Sequence, residues 1–277
     1  MISGKTRLIA HIGYPTEAFK APLIYNPWFE SRGIDAVVVP MGVKSQDYPA
    51  ALAAIRRFTN FHGALVTMPH KVTTVALLDV ASKAVQIAGS CNALRLQPDG
   101  RLRGDMFDGA GFVRGVLRKG LRLKGASCLV VGAGGVGSAI AASLAAEGPA
   151  RMMVFDSRAE SAAGLAARLR QHYPEIDVLS GSKDPAGFDL VVNATPLGMN
   201  PGDALPFDVT RLSKDCFVGE VVMRQEITPL LQAALDRGCR IQVGTEMLFE
   251  MIPAYLEFFG FGTATPDELR AVARVSY

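Results

Sequence analysis

The sequence predicts an α/β protein of two domains, and three observations carry that prediction. The middle of the chain, Cys128 to Asp156, reads as strand, glycine turn, helix and strand, with Gly132, Gly134 and Gly137 in Gly-x-Gly-x-x-Gly spacing. Strand-like and helix-like runs alternate on both sides of it, which implies parallel strands joined by right-handed crossovers. The alternation breaks once, at a hairpin signal around Asp99-Gly100, and then resumes. The chain therefore reads as an N-terminal mixed/parallel α/β sandwich followed by a Rossmann-type doubly wound dinucleotide-binding domain.

Taken in order, Leu8–Ile12 is a short apolar run closed by Gly13, and Pro22 opens a helix through Phe29. Ala36–Val39 is the next strand. Tyr48–Phe58 has Ala51, Leu52, Ile55 and Phe58 at helical spacing. Gly63–Val66 gives a third strand, and Thr73–Leu78 and Ser82–Ala88 read as helical. Cys91–Leu96 and Leu102–Met106 form the hairpin that ends the first domain, residues 1–107. Asp108–Leu117 is a helix leading into the second domain, residues 108–244. There the strands are Cys128–Val131, Met152–Phe155, Ile176–Leu179, Leu190–Asn193, Cys216–Val222 and Arg240–Val243, with helices at Ser138–Ala146, Ala159–His172 and Thr228–Arg237. Met247–Phe259 is apolar and helical, interrupted by Pro253, and the closing segment 245–277 is expected to return to the first domain.

Composition bounds the function. Hydrophobic residues make up 49% of the 277 and charged ones 20%, so each domain can bury a core. A net charge of +3 is too small to point to nucleic acid or an anionic membrane. No run reaches the ~18 apolar residues of a membrane span. Cys91, Cys128, Cys216 and Cys239 are scattered, without Cys-x-x-Cys pairing, and three of them sit in strand-like runs. They read as reduced, buried thiols, with no disulfide frame and no metal site. The expectation is a cytoplasmic protein, monomer or homodimer, with a small-molecule partner.

The central motif points to a dinucleotide. Gly132 permits the tight turn, Gly134 lets a pyrophosphate approach the backbone, and Gly137 lets the helix pack on the strand. Gly135 and Val136 are counted with these glycines as cofactor-binding residues, and the N-terminus of the helix that follows, Ser138–Ala146, offers free N–H groups to phosphate. Asp156 closes the second strand, where a carboxylate accepts hydrogen bonds from the adenosine ribose and repels a 2′-phosphate. NAD is therefore expected; Arg158, two residues on, leaves NADP open through a bidentate phosphate contact.

Several separated motifs resemble the shikimate dehydrogenase family. They are residues 13–26 (GYPTEAFKAPLIYN), Val66 to Lys71, Gly89 to Ala93, Gly104 to Phe112, Asn193 to Met199, and Met247-Leu248. The resemblance implies reversible oxidation of a ring hydroxyl to a ketone with a nicotinamide cofactor, at a site between the two domains. It implies that Lys71 and Asp108 are the proton-handling pair and that Thr67 and Asn92 bind ring hydroxyls. Thr195, Met199 and Gly244 fall in segments that serve the cofactor.

The departures from the family pattern matter as much. Its opening motif carries two serines for the substrate carboxylate; Phe19 and Ala21 stand there. A tyrosine becomes Met223, a glutamine becomes Met251, and asparagines or threonines become Leu65, Met106 and Phe107. Lys20, Tyr25 and Arg224, surface residues by default, are the candidates for replacement donors. The expectation is a cyclic hydroxy acid related to shikimate or quinate, with weak or altered shikimate activity and a substrate that is less polar or lacks the carboxylate. Two other readings stay open: a nicotinamide-nucleotide-binding regulatory protein with little catalysis, and a methylene-folate dehydrogenase-type enzyme, which fits the motifs less well.

Overall fold

The computed structural model describes residues 2–17 and 19–274. The first part of the chain runs β1 (Arg7–Gly13), α1 (Pro22–Arg32), β2 (Ala36–Gly42), α2 (Tyr48–Ile55), β3 (Phe61–Val66) and α3 (Lys71–Val75). There follow β4 (Val80–Ala81), α4 (Lys83–Ala88), β5 (Ala93–Leu96), β6 (Leu102–Asp105) and α5 (Asp108–Arg118). Next come β7 (Ser127–Val131), α6 (Gly135–Ala146), β8 (Arg151–Phe155), α7 (Ala159–His172), β9 (Asp177–Ser180) and β10 (Leu190–Asn193). The chain ends with β11 (Phe217–Glu220), α8 (Pro229–Asp236), β12 (Arg240–Gln242), α9 (Glu246–Phe259) and α10 (Pro266–Val272). These elements form two compact units. The first takes the chain up to Val85, Gly89–Phe107 and the segment from Ile252 on; the second takes Gln86–Ala88 and Asp108–Met251.

The first unit holds a six-stranded sheet in the order β2-β1-β3-β5-β6-β4. β1 pairs in parallel with β2 and β3, whereas β5 pairs antiparallel with both β3 and β6, so the sheet is mixed. The turn Gln97–Arg101 closes the β5–β6 hairpin, with Gly100 at φ 81°. Two local expectations change. α2 stops at Ile55, because the chain turns at Phe58–Phe61 to enter β3, and Phe58 is left 56% exposed instead of extending the helical apolar face. α9 runs unbroken from Glu246 to Phe259 with Pro253 inside it. From Ile252 on, the chain packs on α1: Phe261 lies 5.1 Å from Phe29, and Arg274 N–H donates to the Leu23 carbonyl.

The second unit holds six parallel strands in the order β12-β11-β10-β7-β8-β9. This is the doubly wound arrangement, and the winding reverses between β7 and β10, where such sheets open a crevice at their carboxyl ends. β7 shows why its sequence is continuously apolar: Cys128 and Val130 enter one core cluster, Leu129 and Val131 the other. All four cysteines are buried and free. Among the described residues no helix is long and apolar enough to cross a membrane.

Candidate active site

In the first unit β1 and β3 end side by side, His11 in register with Leu65 and Ile12 with Val66. The loops that leave them stay together, because Thr67 N–H donates to Ile12 O at 2.9 Å and Tyr14 N–H to Met68 O at 3.0 Å. Gly13 permits this approach: a Cβ there would collide with the Thr67 methyl and lie 2.8 Å from both Met68 O and the Phe19 ring. Lys71 opens α3 directly afterwards and is half-buried. Its carbonyl accepts the Cys91 N–H at 2.8 Å, and the Asn92 carbonyl accepts the Val66 N–H at 2.8 Å. Those two bonds bring Thr67, Lys71 and Asn92 to one end of the sheet. Asn92 is buried, and its Oδ1 accepts the Phe107 N–H at 2.9 Å, which fixes the orientation of the amide. Asp108 follows Phe107 and begins α5, with 5% of its surface exposed. A carboxylate in a helix's first turn is favoured by the peptide dipoles.

Several positions next to these residues in sequence or register are apolar. Leu65 and Met106 are buried, and Phe107 meets Tyr255 and Phe258 edge to face at 4.9 and 5.4 Å. Phe19 stacks on the imidazole of His11, with ring centroids 4.0 Å apart. Of the replacement donors, Lys20 is exposed. Tyr25 is not a surface residue: it lies on the inward stripe of α1 with Ile24, Trp28 and Phe29, at helical spacing. It stands edge-on to Tyr255, and burial pushes its phenol well above the ordinary range. Arg224 is committed elsewhere, its Nη1 donating to Met199 O and Asn200 Oδ1, both at 3.1 Å.

His11 is the residue that reading the sequence passes over. It is 8% exposed, and its Nδ1 is buried with no hydrogen-bond partner among the described residues. Burial first, and then the ammonium of Lys71, push its pKa down to about 4, so the ring is neutral near pH 7. The available signal was a lone polar residue inside the apolar run Leu8–Ile12.

In the second unit the glycine turn follows β7 at the winding reversal. Gly132 has φ 109°, a region that favours glycine, and a Cβ there would lie 2.7 Å from Ala194 O. A Cβ on Gly137 would collide with the Gly132 carbonyl oxygen. At Gly134 a Cβ would meet nothing within 4 Å, so the space over the turn is open just where α6 begins with Gly135 and Val136. That open cradle at a helix N-terminus fits a dinucleotide pyrophosphate. Asp156 closes the turn: Oδ2 accepts the Ala133 N–H at 2.7 Å and Oδ1 the Arg158 N–H at 2.9 Å. Burial opposes its charge, but these donors outweigh burial and hold its carboxyl below the ordinary range. The Arg158 side chain is 69% exposed and stands 3.9 Å from Asp156. Across the crevice, Asn193 shapes the next loop, accepting from Thr195 Oγ1 at 2.7 Å and donating to Leu197 O at 3.0 Å. Met199 is 43% exposed at the end of that loop. A Cβ on Gly244 would collide with Val222 O, so this glycine also allows two backbone segments to touch.

Comparison with known proteins agrees with this geometry. Residues 11–94 match the model of the shikimate dehydrogenase substrate binding domain, and residues 120–198 match a model of NAD(P)-binding domains. A shikimate dehydrogenase (NADP(+)) of Rubrobacter xylanophilus is 36% identical over 251 residues, covering 89% of this chain and 88% of its own. The chain belongs to the shikimate dehydrogenase family. Among solved structures, shikimate 5-dehydrogenase of Listeria monocytogenes, in complex with shikimate and NAD, superposes with TM-score 0.90 at 25% identity over 98% of this chain and 97% of its own. Quinate dehydrogenase of Corynebacterium glutamicum, in complex with NAD, gives TM-score 0.85 at 28% identity over 96% and 98%. This member of the shikimate dehydrogenase family is an NAD(P)-dependent oxidoreductase of the shikimate and quinate dehydrogenase type, acting on a CH–OH group.

Proposed function

We propose that the first unit binds a cyclic polyol substrate, that the second binds NAD in preference to NADP, and that shikimate itself is a poor substrate. The observation that carries this reading is the convergence of Thr67, Lys71 and Asn92 at the end of β3 and the start of β5, with apolar Phe19, Leu65 and Met106 where the family pattern has polar residues. The Lys71 ammonium holds the reacting hydroxyl by a hydrogen bond from Nζ, and once it has passed a proton to the Asp108 carboxylate its neutral amine takes the hydroxyl proton; ketone reduction reverses both transfers. Asn92 and Thr67 orient the neighbouring hydroxyls by hydrogen bonds. NAD(P), when bound, supplies the two-electron acceptor. Gly132, Gly134, Gly135, Val136 and Gly137 hold its pyrophosphate, Asp156 its adenosine ribose, and Thr195, Met199 and Gly244 border its nicotinamide half.

A substrate carboxylate set against Phe19 and Ala21 lacks the hydroxyl donors that the two family serines provide. Leaving such a charge unpaired costs several kcal/mol. Of the candidate replacement donors, Tyr25 is buried with its ring edge-on to Tyr255, Arg224 donates to Met199 O and Asn200 Oδ1, and Lys20, inside the motif, is exposed. Shikimate turnover should therefore be slow. Following NADH absorbance with shikimate, quinate and uncharged cyclic polyols tests the reading, with Lys71→Ala as the control. Nucleotide binding without turnover of any substrate would instead favour a regulatory protein, which the apolar replacements alone would suit.

A further inference from the structure

Resting on that reading, we infer that His11 is a specificity-determining residue that binds an oxygen of the substrate, and that the preferred substrate is an uncharged polyhydroxy ketone and its alcohol. Four observations converge on the imidazole. It is more than nine-tenths buried, yet Nδ1 meets no partner among the described residues, an arrangement that proteins otherwise avoid. It stacks at 4.0 Å on Phe19, which occupies the place of a carboxylate-binding serine. It registers with Leu65, which occupies the place of a polar family residue, so a polar side chain on β1 stands beside the apolar one on β3. Finally, Ile12, the next residue of β1, accepts the Thr67 N–H at 2.9 Å, so His11 stands at the strand end from which the loop to Lys71 leaves.

The chemistry of the pocket follows. A neutral imidazole offers one N–H and one lone pair, which suits a hydroxyl or a carbonyl oxygen. A carboxylate asks instead for several donors, and Phe19, Ala21, Leu65 and Met106 have no side-chain donor to give. Phe19 also holds the ring in place, so binding does not have to order it. A histidine at this spot with serines around it would be one donor among several; here Phe19 and Leu65, its stacking and register neighbours, offer none.

The test measures steady-state kinetics on the full-length protein with two probe sets: shikimate and quinate, against myo-inositol, its 2-ketone, and the sorbitol/fructose pair. The expected result is a kcat/KM for at least one uncharged probe about tenfold or more above that for either acid. His11→Leu should raise KM for that probe by at least about tenfold, while His11→Gln, which keeps a neutral donor and acceptor, stays within about threefold. NADH binding, read by fluorescence titration, should be unchanged in both variants and confirms that they fold. The double variant Phe19→Ser/Ala21→Ser should gain activity on shikimate by about tenfold or more. The inference is overturned if shikimate or quinate is the better substrate, if no uncharged probe is turned over, or if His11→Leu leaves KM unchanged. Lys71→Ala separates the two levels: loss of turnover with an unchanged His11→Leu sinks only the inference, whereas retained turnover in Lys71→Ala sinks the underlying assignment of the site.

Discussion

Two polar groups that brace the glycine turn of the second unit are paired within the protein. Asp156 takes two backbone N–H groups, and Asn193 is tied to Thr195 and Leu197. At the matching carboxyl ends of β1 and β3 in the first unit, the buried imidazole of His11, stacked on Phe19 and in register with Leu65, has a nitrogen with no hydrogen-bond partner among the described residues. The turn proposed to hold the nucleotide is braced by its own internal bonds. The substrate side changes with the ligand it selects, and its open valence points to where the substrate completes it. Breaking each side in turn should separate loss of chemistry from loss of frame.

The largest effect is expected from Lys71→Ala. Removing a positioned proton-transfer group costs about 10²–10⁴ in rate. Nucleotide affinity should not move, since every cofactor-binding residue proposed lies in the second unit. Stopped-flow or steady-state absorbance at 340 nm reads the loss, and a coincident loss of NADH binding would mean that the two sides are not separable in this way.

Next comes acid sensitivity of the substrate side. His11 has a folded pKa of about 4 against an ordinary 6.5, so the unfolded chain binds more protons between those values. Stability therefore falls as pH drops from 6.5 to 4 and is not further affected by this group below 4. A shift of that size corresponds to on the order of 3 kcal/mol across the window. Urea unfolding at pH 7 and pH 4.5 should show the decrease in the wild type and a smaller one in His11→Leu. Equal decreases would show that the acid response belongs to other groups.

How much of this was legible beforehand divides along the same line. The strand–turn–helix of the second unit reads directly from Gly132, Gly134, Gly137 and the acid at 156, because each glycine answers a local backbone requirement. β7 reads as buried because both of its faces are apolar. The motifs around Lys71 and Asn92 were visible as strings, but their convergence depends on the β3–β5 pairing and on the bond from Cys91 to Lys71, contacts that no local pattern encodes. Tyr25 reads as a surface residue by default, and only the seating of α1 shows it inward. His11 was passed over because one polar residue in an apolar strand looks like noise until its stacking partner, eight residues away, is known.

On the frame side, Gly137→Ala should cost about 1–3 kcal/mol in stability through backbone overpacking. The obstructing atom is the Gly132 carbonyl oxygen, which cannot move without opening the turn. NADH affinity should fall with the melting temperature, while Gly134→Ala, which meets open space, should reduce affinity alone. Calorimetry with and without NADH distinguishes the two, and identical behaviour of the variants would contradict the separate tasks given to these glycines.

The smallest expected change is the most diagnostic for cofactor choice. Asp156→Asn removes the negative charge that disfavours a 2′-phosphate and should raise the NADP/NAD ratio of kcat/KM by roughly tenfold, about 1.4 kcal/mol. Arg158 is positioned to add to that gain, since its exposed guanidinium is held by no more than a 3.9 Å approach to the carboxylate. The substitution also has a cost on the NAD side. The asparagine oxygen can replace only one of the two carboxylate acceptors, so either Ala133 or Arg158 loses its bond, worth about 1 kcal/mol. NAD affinity should therefore fall somewhat even as NADP use rises. A ratio that stays fixed would mean that residues outside the turn select the nucleotide, and the carboxylate would then be a brace for the backbone alone.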